Sequence, residues 1–306
     1  MKLVTYRATV EAAARLGVIT GDLVVDAALL GEAYGEAIPD SMLGLIDSGR
    51  PGLAALSALV AKAGAMPPIG TATALVNVTL LAPIPRPRKN VFGIGLNYLD
   101  HVAESAAALD TDAALPKQPV IFSKPPTSVI GPNEPIAHNK SITRQLDWEV
   151  ELGVVIGTTA RRVTRSNALN HVFGYTVLID VSARDCRRAG QWIYSKGQDT
   201  FCPMGPCIVT ADDIPDPQVL DLWLTLNGVE KQRSNTSHML FKVDELIADL
   251  SQGITLEPGD IIASGTPAGV GAGRTPQEWM WPGDVVVATV DGIGTLRHSI
   301  VDATPE

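Results

Sequence analysis

Apolar residues along this 306-residue chain fall in short runs separated by turn residues, a pattern of many strands and few helices. Near the start, KLVTYR, ARLGVIT and DLVVDAALL read as strands, and Gly21-Asp22 between the last two reads as a two-residue hairpin turn. From Asp40 to Gly64 the period becomes helical, through SMLGLIDSG and then PGLAALSALVAKAG with Pro51 near its start. Pro83, Pro85 and Pro87 alternate through LLAPIPRPRKN; proline fixes φ and removes a donor, so this stretch is an extended connector. The change of pattern places a domain boundary near residue 75, with a small N-terminal α/β domain at 1–75 and a larger domain at 76–306.

Past the connector, VFGIG, PVIFSK, LDWEVELGVVIG, HVFGYTVLIDVS and LDLWLTLNG are strand patterns. Asn227-Gly228 and Asp291-Gly292 read as type I′ hairpin turns. Two stretches read as helices: Asn97 to Leu109, with Asn97 as its cap, and VDELIADLSQG. Strands and helices do not alternate, which excludes a doubly wound sheet and leaves an α+β fold that is mainly β.

Within LDWEVEL the alternation separates two chemistries. Leu146, Trp148, Val150 and Leu152 point one way, while Asp147, Glu149 and Glu151 point the other at ~7 Å intervals. Such a row is either a solvated strand face or a divalent cation site in which oxygen ligands are drawn together by the ion. Asp180 stands alone in the apolar run VLIDV, and an acid there is either at a strand end in solvent or held by a partner. Glu149, Glu151 and Asp180 together form an all-oxygen set that suits Mg²⁺, Mn²⁺ or Ca²⁺ and suits Zn²⁺ poorly. His101 and Glu104 sit three apart on the first helix, within hydrogen-bonding reach. They are either a surface pair or a base whose carboxylate orients the imidazole. The Ala-rich continuation of that helix has few bulky residues to anchor it, so 97–109 is expected to close as a lid over bound substrate.

Composition narrows the setting. With 45% hydrophobic and 19% charged residues the chain is globular, and a formal charge of −9 with no basic cluster excludes nucleic-acid and anionic-membrane partners. No run of 18 apolar residues occurs and the first residues lack an apolar leader, so the expectation is a cytoplasmic protein. Cys186, Cys202 and Cys207 are odd in number and form no C-x-x-C, which speaks against a disulfide framework. Gly93-Ile-Gly95 lacks its third glycine and no helix pattern opens after Gly269–Gly273, so neither makes a dinucleotide fingerprint.

In order, GLNYLDHVAE (95–104), IFSKPPTSVIGP (121–132), LDWEVELGVVIG (146–157), GYTVLIDVSARD (174–185), SKGQDTFCPMGP (195–206), TSHMLFKVDELIADLS (236–251), LEPGDIIASGTPAGVG (256–271) and GDVVVATVDGIGTL (283–296) resemble the fumarylacetoacetate hydrolase family. The resemblance covers about residues 76–306, and the N-terminal block resembles the small extra domain of the bacterial members. It implies a mainly β roll of mixed sheets, usually a homodimer. It implies that Glu149, Glu151 and Asp180 bind the metal and that His101 with Glu104 activates water. Lys196 is expected on the oxo-acid end or the developing charge, Thr266 on the substrate carboxylate region, and Arg184 in support of the metal site. Where many members carry glutamine this chain has Arg187, and Gln191 is expected to take that place at the substrate. The reaction implied is metal-dependent hydrolysis of a carbon–carbon bond in a 1,3-diketo acid such as an acylpyruvate or fumarylpyruvate. The alternative is decarboxylation of an oxaloacetate-type 2-oxo acid, or isomerase or lyase chemistry, on the same scaffold.

Overall fold

The computed structural model describes residues 1–108 and 115–303. The chain begins with β1 (Lys2–Arg7), β2 (Arg15–Thr20) and β3 (Leu23–Asp26), then α1 (Ala27–Tyr34), α2 (Met42–Asp47) and α3 (Gly49–Ala63). Short strands β4 (Ala72–Ala74) and β5 (Thr79–Leu81) lead to β6 (Val91–Gly95), α4 (Leu99–Ala108), β7 (Val120–Lys124), β8 (Val129–Ile130) and β9 (Ile136–His138). There follow β10 (Leu146–Asp147), β11 (Val150–Ile156), α5 (Arg165–Ala168), β12 (Val172–Ile179), β13 (Ser182–Ala183), α6 (Ile193–Lys196) and β14 (Cys202–Thr210). The last elements are β15 (Asp221–Leu226), β16 (Val229–Asn235), α7 (Val243–Gly253), β17 (Ile261–Ala263), β18 (Val285–Val290) and β19 (Gly294–Asp302).

Among the described residues the main sheet runs β4-β3-β2-β1-β14-β12-β11-β17-β6-β7, and a second runs β16-β15-β18-β19-β9. The architecture is mainly β, as the sequence pattern predicts. Strand β1 carries the N-terminal strands onto the main sheet through Lys2↔Val209 and Leu3↔Ile208. Central strands β11, β12 and β14 of the main sheet are buried on both faces, which is why they read as nearly continuous apolar runs. Leu152, Val154, Val177 and Ile179 face a core shared with Leu222, Leu224 and Val286 of the second sheet. Val155 and Leu178 face a second core built with Leu30, Leu45 and Leu56 of the N-terminal helices. Among the described residues no helix is long and apolar enough to cross a membrane, and the three cysteines are buried and unpaired.

Four local expectations change. Only LVVD of DLVVDAALL is strand; the Asp26 carboxylate accepts from Leu29 N–H and caps α1, which takes the rest. Asn227 (φ 53°) and Gly228 (φ 79°) form the I′ turn, but Asp291-Gly292 does not. There Val290 pairs with Gly294 across a three-residue loop, because Ile293 is drawn into the core. LDWEVEL breaks into β10 and β11 around Trp148 and Glu149. Asn97 does not cap α4: its amide donates to the carbonyls of Phe241 and Ser264 and its oxygen accepts from Phe241 N–H, tying three segments together. The expected end of that helix at Leu109 lies outside the described residues.

The second sheet carries buried histidines, His138 on β9 and His298 on β19. His298 on β19 is fully buried, donates from Nδ1 to the Glu134 carbonyl at 2.7 Å, and has no partner for Nε2 among the described residues. Burial lowers its pKa from the ordinary 6.5 to about 4. The unfolded chain therefore takes up this proton first as pH falls. Stability is unaffected by the group above pH ~6.5 and is lost between ~6.5 and ~4, by about 3 kcal/mol in all. Urea unfolding across that range is expected to show a shallower loss in His298→Asn, which keeps a donor and does not titrate. Parallel pH profiles for the two proteins would refute this assignment.

Candidate active site

Strand register builds the carboxylate cluster. Val150 pairs with Ile179 and Glu151 with Leu178, and Asp180 N–H donates to the Glu149 carbonyl at 2.9 Å. Residues opposite each other on antiparallel strands share a face, so Glu149 and Asp180 lie side by side with Glu151 one pleat along. One oxygen from each of the three carboxylates lies within 4.8 Å of the others. All three are buried, so the reading of LDWEVEL as a solvated face is corrected: β7, α6 and the Ser264–Pro267 turn cover it.

Two lysines and an arginine balance part of this charge. Lys196 on α6 donates from Nζ to Glu149 Oε2 at 2.7 Å and to Asp180 Oδ2 at 2.6 Å. Arg184 donates from Nη2 to Glu149 Oε1 at 2.6 Å. Lys124, at the end of β7 and fully buried, pairs with Asp180 Oδ1 and donates to the Lys196 carbonyl. Among the described residues Glu151 has one hydrogen-bond partner, the Gly265 N–H at 2.9 Å. That N–H is aimed by a backbone only glycine adopts readily, with φ 99°, and a Cβ there would lie 2.7 Å from Asn97 Cβ.

The titration pattern follows. Burial alone would raise Glu149, but Lys196 and Arg184 outweigh it and hold the carboxyl well below the ordinary glutamate range. Burial, with Asp180 and Glu149 adding to it, pushes Glu151 well above that range. Burial also raises Asp180, against Lys124 and Lys196. Burial opposes the Lys196 ammonium, yet Asp180 and Glu149 keep its pKa above the ordinary lysine value. Three crowded oxygen donors, one of them short of cationic partners, suit a hard divalent ion.

Above the cluster lies a pocket whose wall includes His101, Glu149, Arg184, Arg187, Trp192, Lys196 and Thr266. His101 on α4 is buried, and its Nδ1 lies 3.2 Å from Glu104 Oε2. The first turns of α4 are anchored by Tyr98 and Val102, both buried, and by the Asn97 amide. The Thr266 hydroxyl donates to the Val150 carbonyl and accepts from Gln232, whose oxygen in turn accepts Val150 N–H.

The structure thus brings His101, Glu104, Glu149, Glu151, Asp180, Arg184, Lys196 and Thr266 together. It does not bring Gln191, which is exposed in a turn closed on Arg188; Arg187 stands in the pocket wall instead. Lys124, Gln232, Arg187 and Trp192 carry no role in the sequence reading. Lys124 had a signal, a single charge closing the apolar run PVIF, the same sign that marks Asp180.

The family description "Fumarylacetoacetate (FAA) hydrolase C-terminal" matches residues 90–301. The oxaloacetate tautomerase fahd2, mitochondrial, of Xenopus laevis is 37% identical over 306 residues, covering 98% of this chain and 90% of that protein. The oxaloacetate tautomerase YisK of Bacillus subtilis (strain 168) is 44% identical over 227 residues, 74% of each chain. Among solved structures, maleylpyruvate hydrolase from Sphingobium sp. SYK-6 in complex with manganese(II) ion and pyruvate has a TM-score of 0.76 and 30% identity, covering 99% of each chain. With the site's residues assembled on a matching fold, this chain belongs to the fumarylacetoacetate hydrolase family of enzymes.

Proposed function

We propose that this protein is a divalent-metal-dependent enzyme that interconverts the enol and keto forms of a small 2-oxo dicarboxylic acid, with oxaloacetate as the type substrate. The observation that carries the reading is an arginine in the pocket wall that no described carboxylate pairs with. Arg184 and Lys196 are engaged by the buried carboxylates. Arg187 has its guanidinium carbon 5.1 Å from the centre of the Trp192 ring, and no carboxylate among the described residues forms an ion pair with it. A guanidinium left over beside a site for an oxo acid suits a second substrate carboxylate. The identity to oxaloacetate tautomerases across nearly the whole chain supports the same reading.

In this reading Glu149, Glu151 and Asp180 would hold a Mg²⁺ or Mn²⁺ ion, which would supply Lewis-acid polarisation of the 2-oxo group. Glu104 faces His101 Nδ1, which favours the proton on that nitrogen and leaves Nε2 as the base. Toward the enol, His101 takes a proton from the carbon beside the oxo group and the enolate oxygen takes one up; toward the keto form, the enol oxygen gives up its proton and His101 returns one to that carbon. Lys196 donates to the enolate oxygen as charge develops there. A homodimer is part of the same proposal, by family likeness.

Carbon–carbon hydrolysis of a 1,3-diketo acid is the second reading. The His101–Glu104 pair favours it, since a base beside a metal site also deprotonates water. One assay separates the two: enol oxaloacetate and a panel of acylpyruvates, each with Mg²⁺ or Mn²⁺, are followed by loss of enol absorbance and by pyruvate release. The proposal expects metal-dependent loss of the oxaloacetate enol without pyruvate above the enzyme-free control. Pyruvate release from an acylpyruvate with the higher kcat/KM would transfer the assignment to hydrolysis.

A further inference from the structure

Asp147, the first acid of the carboxylate strand, lies outside the cluster that could hold a metal, yet it is fully buried. Its Oδ1 accepts from Gly271 N–H at 2.6 Å and from Trp148 N–H at 2.8 Å. Its Oδ2 accepts from Ala272 N–H at 3.0 Å and from Arg184 Nε at 2.8 Å. Four donors converge on the four acceptor positions of one carboxylate. Both ends of this arrangement reach the active site. Arg184 continues from Asp147 to Glu149. The loop at 269–273 continues to Glu104, because Gly269 N–H donates to Glu104 Oε1 at 3.0 Å and Oε2 at 3.2 Å. Gly273 leaves the space that Glu104 fills: a Cβ there would lie 2.2 Å from Glu104 Cδ.

We propose that Asp147 is a positioning residue that fixes the 269–273 loop as the seat for Glu104 and, through Arg184, sets the His101–Glu104 pair in register with the carboxylate cluster. The inference rests on the base role proposed for that pair. The chemistry requires a carboxylate. An asparagine keeps one acceptor oxygen but turns an NH₂ toward either Gly271 and Trp148 or Ala272 and Arg184, donor against donor. The loop then loses half of its anchor, and the Glu104 seat loosens with it.

The test uses Asp147→Asn and Gly273→Ala in the full chain. Gly273→Ala displaces Glu104 from the loop side and leaves Asp147 and the cluster untouched. Amide exchange of the metal-free protein is expected to rise about 10-fold or more at Gly269 and across Leu99–Glu104 in both variants, with β11 and β12 unchanged. With Mn²⁺ and enol oxaloacetate, kcat is expected to fall about 10–100-fold while KM and calorimetric Mn²⁺ affinity stay within about threefold. In a Glu104→Ala background, adding Asp147→Asn is expected to cost less than about threefold more, because both act through one seat. Multiplicative losses in the double variant, or unchanged exchange at Gly269, would overturn the proposal. If Asp147→Asn does not fold, Gly273→Ala decides: normal exchange in α4 and normal kcat would show that the loop is not the seat. If Glu104→Ala alone turns over normally, the base reading falls, and the exchange result by itself decides for or against the strut.

Discussion

Replacing Glu151 with glutamine is expected to abolish both metal binding and metal-dependent turnover while leaving the fold intact. Glu151 is the member of the cluster that no described lysine or arginine meets in an ion pair: its one described hydrogen bond comes from Gly265 N–H. Burial and the neighbouring Asp180 and Glu149 charges hold its proton on more tightly than in an ordinary glutamate. In the metal-free protein a neutral amide therefore costs little. Its oxygen still accepts from Gly265, its NH₂ faces carboxylates, and the melting temperature should stay or rise. For a bound cation the same change removes one of three anionic donors. Losing even an outer partner of a metal ligand lowers affinity roughly 10–100-fold, so a direct ligand should cost more than about 100-fold. Calorimetry with Mn²⁺ and thermal unfolding of the metal-free variant check the two halves. Wild-type affinity in Glu151→Gln would remove the metal assignment, whereas lost affinity with a collapsed melting temperature would make Glu151 a structural group instead.

The same cluster shows what was legible in the sequence. Alternation in LDWEVEL places Glu149 and Glu151 on one face, and the register of β11 with β12 then delivers Asp180 beside them. The side chains are readable because strand period is a local property. Burial of that face is not local. It depends on Lys124 from β7, Lys196 from α6 and the turn at Ser264, which come from 25 to 115 residues away along the chain and leave no periodic trace near residue 149. Asp147 illustrates the limit most sharply. It shares the alternation of Glu149 and Glu151, but the chain breaks out of strand geometry at Trp148–Glu149, and Asp147 pairs with Ser182 on the two-stranded β10–β13 ribbon instead. Its carboxylate therefore meets loop amides, not the cluster. Gln191 failed for a related reason: residues 187–191 turn back on themselves through the Arg188–Gln191 bridge, and this sends Arg187 into the wall and Gln191 to solvent. Turn direction in a stretch with two glycine-like positions, Ala189 and Gly190 both at positive φ, is set by packing on Trp192 and Tyr194 and not by a local pattern.

His101→Ala is expected to lower kcat by about 10²–10⁴-fold, the contribution of a positioned general base, with Mn²⁺ affinity unchanged. The separation of the two effects follows from the geometry. His101 lines the pocket from α4, while the three candidate ligands sit on β11 and at the ends of β11 and β12, where Lys124, Lys196, Arg184 and Gly265 hold them. Glu104 stays seated in the variant, since the Gly269 N–H bonds do not involve His101. The loss should therefore appear in kcat and not in metal binding or in exchange at Gly269. Chemical rescue of the variant bears on which of the two reactions it performs. Both need the base, but only hydrolysis needs it to activate water. A small exogenous base such as imidazole should restore part of the enol–keto conversion in His101→Ala, because the proton moves directly between base and carbon. Near-wild-type kcat in the variant would end the assignment of His101 as the base under either reaction.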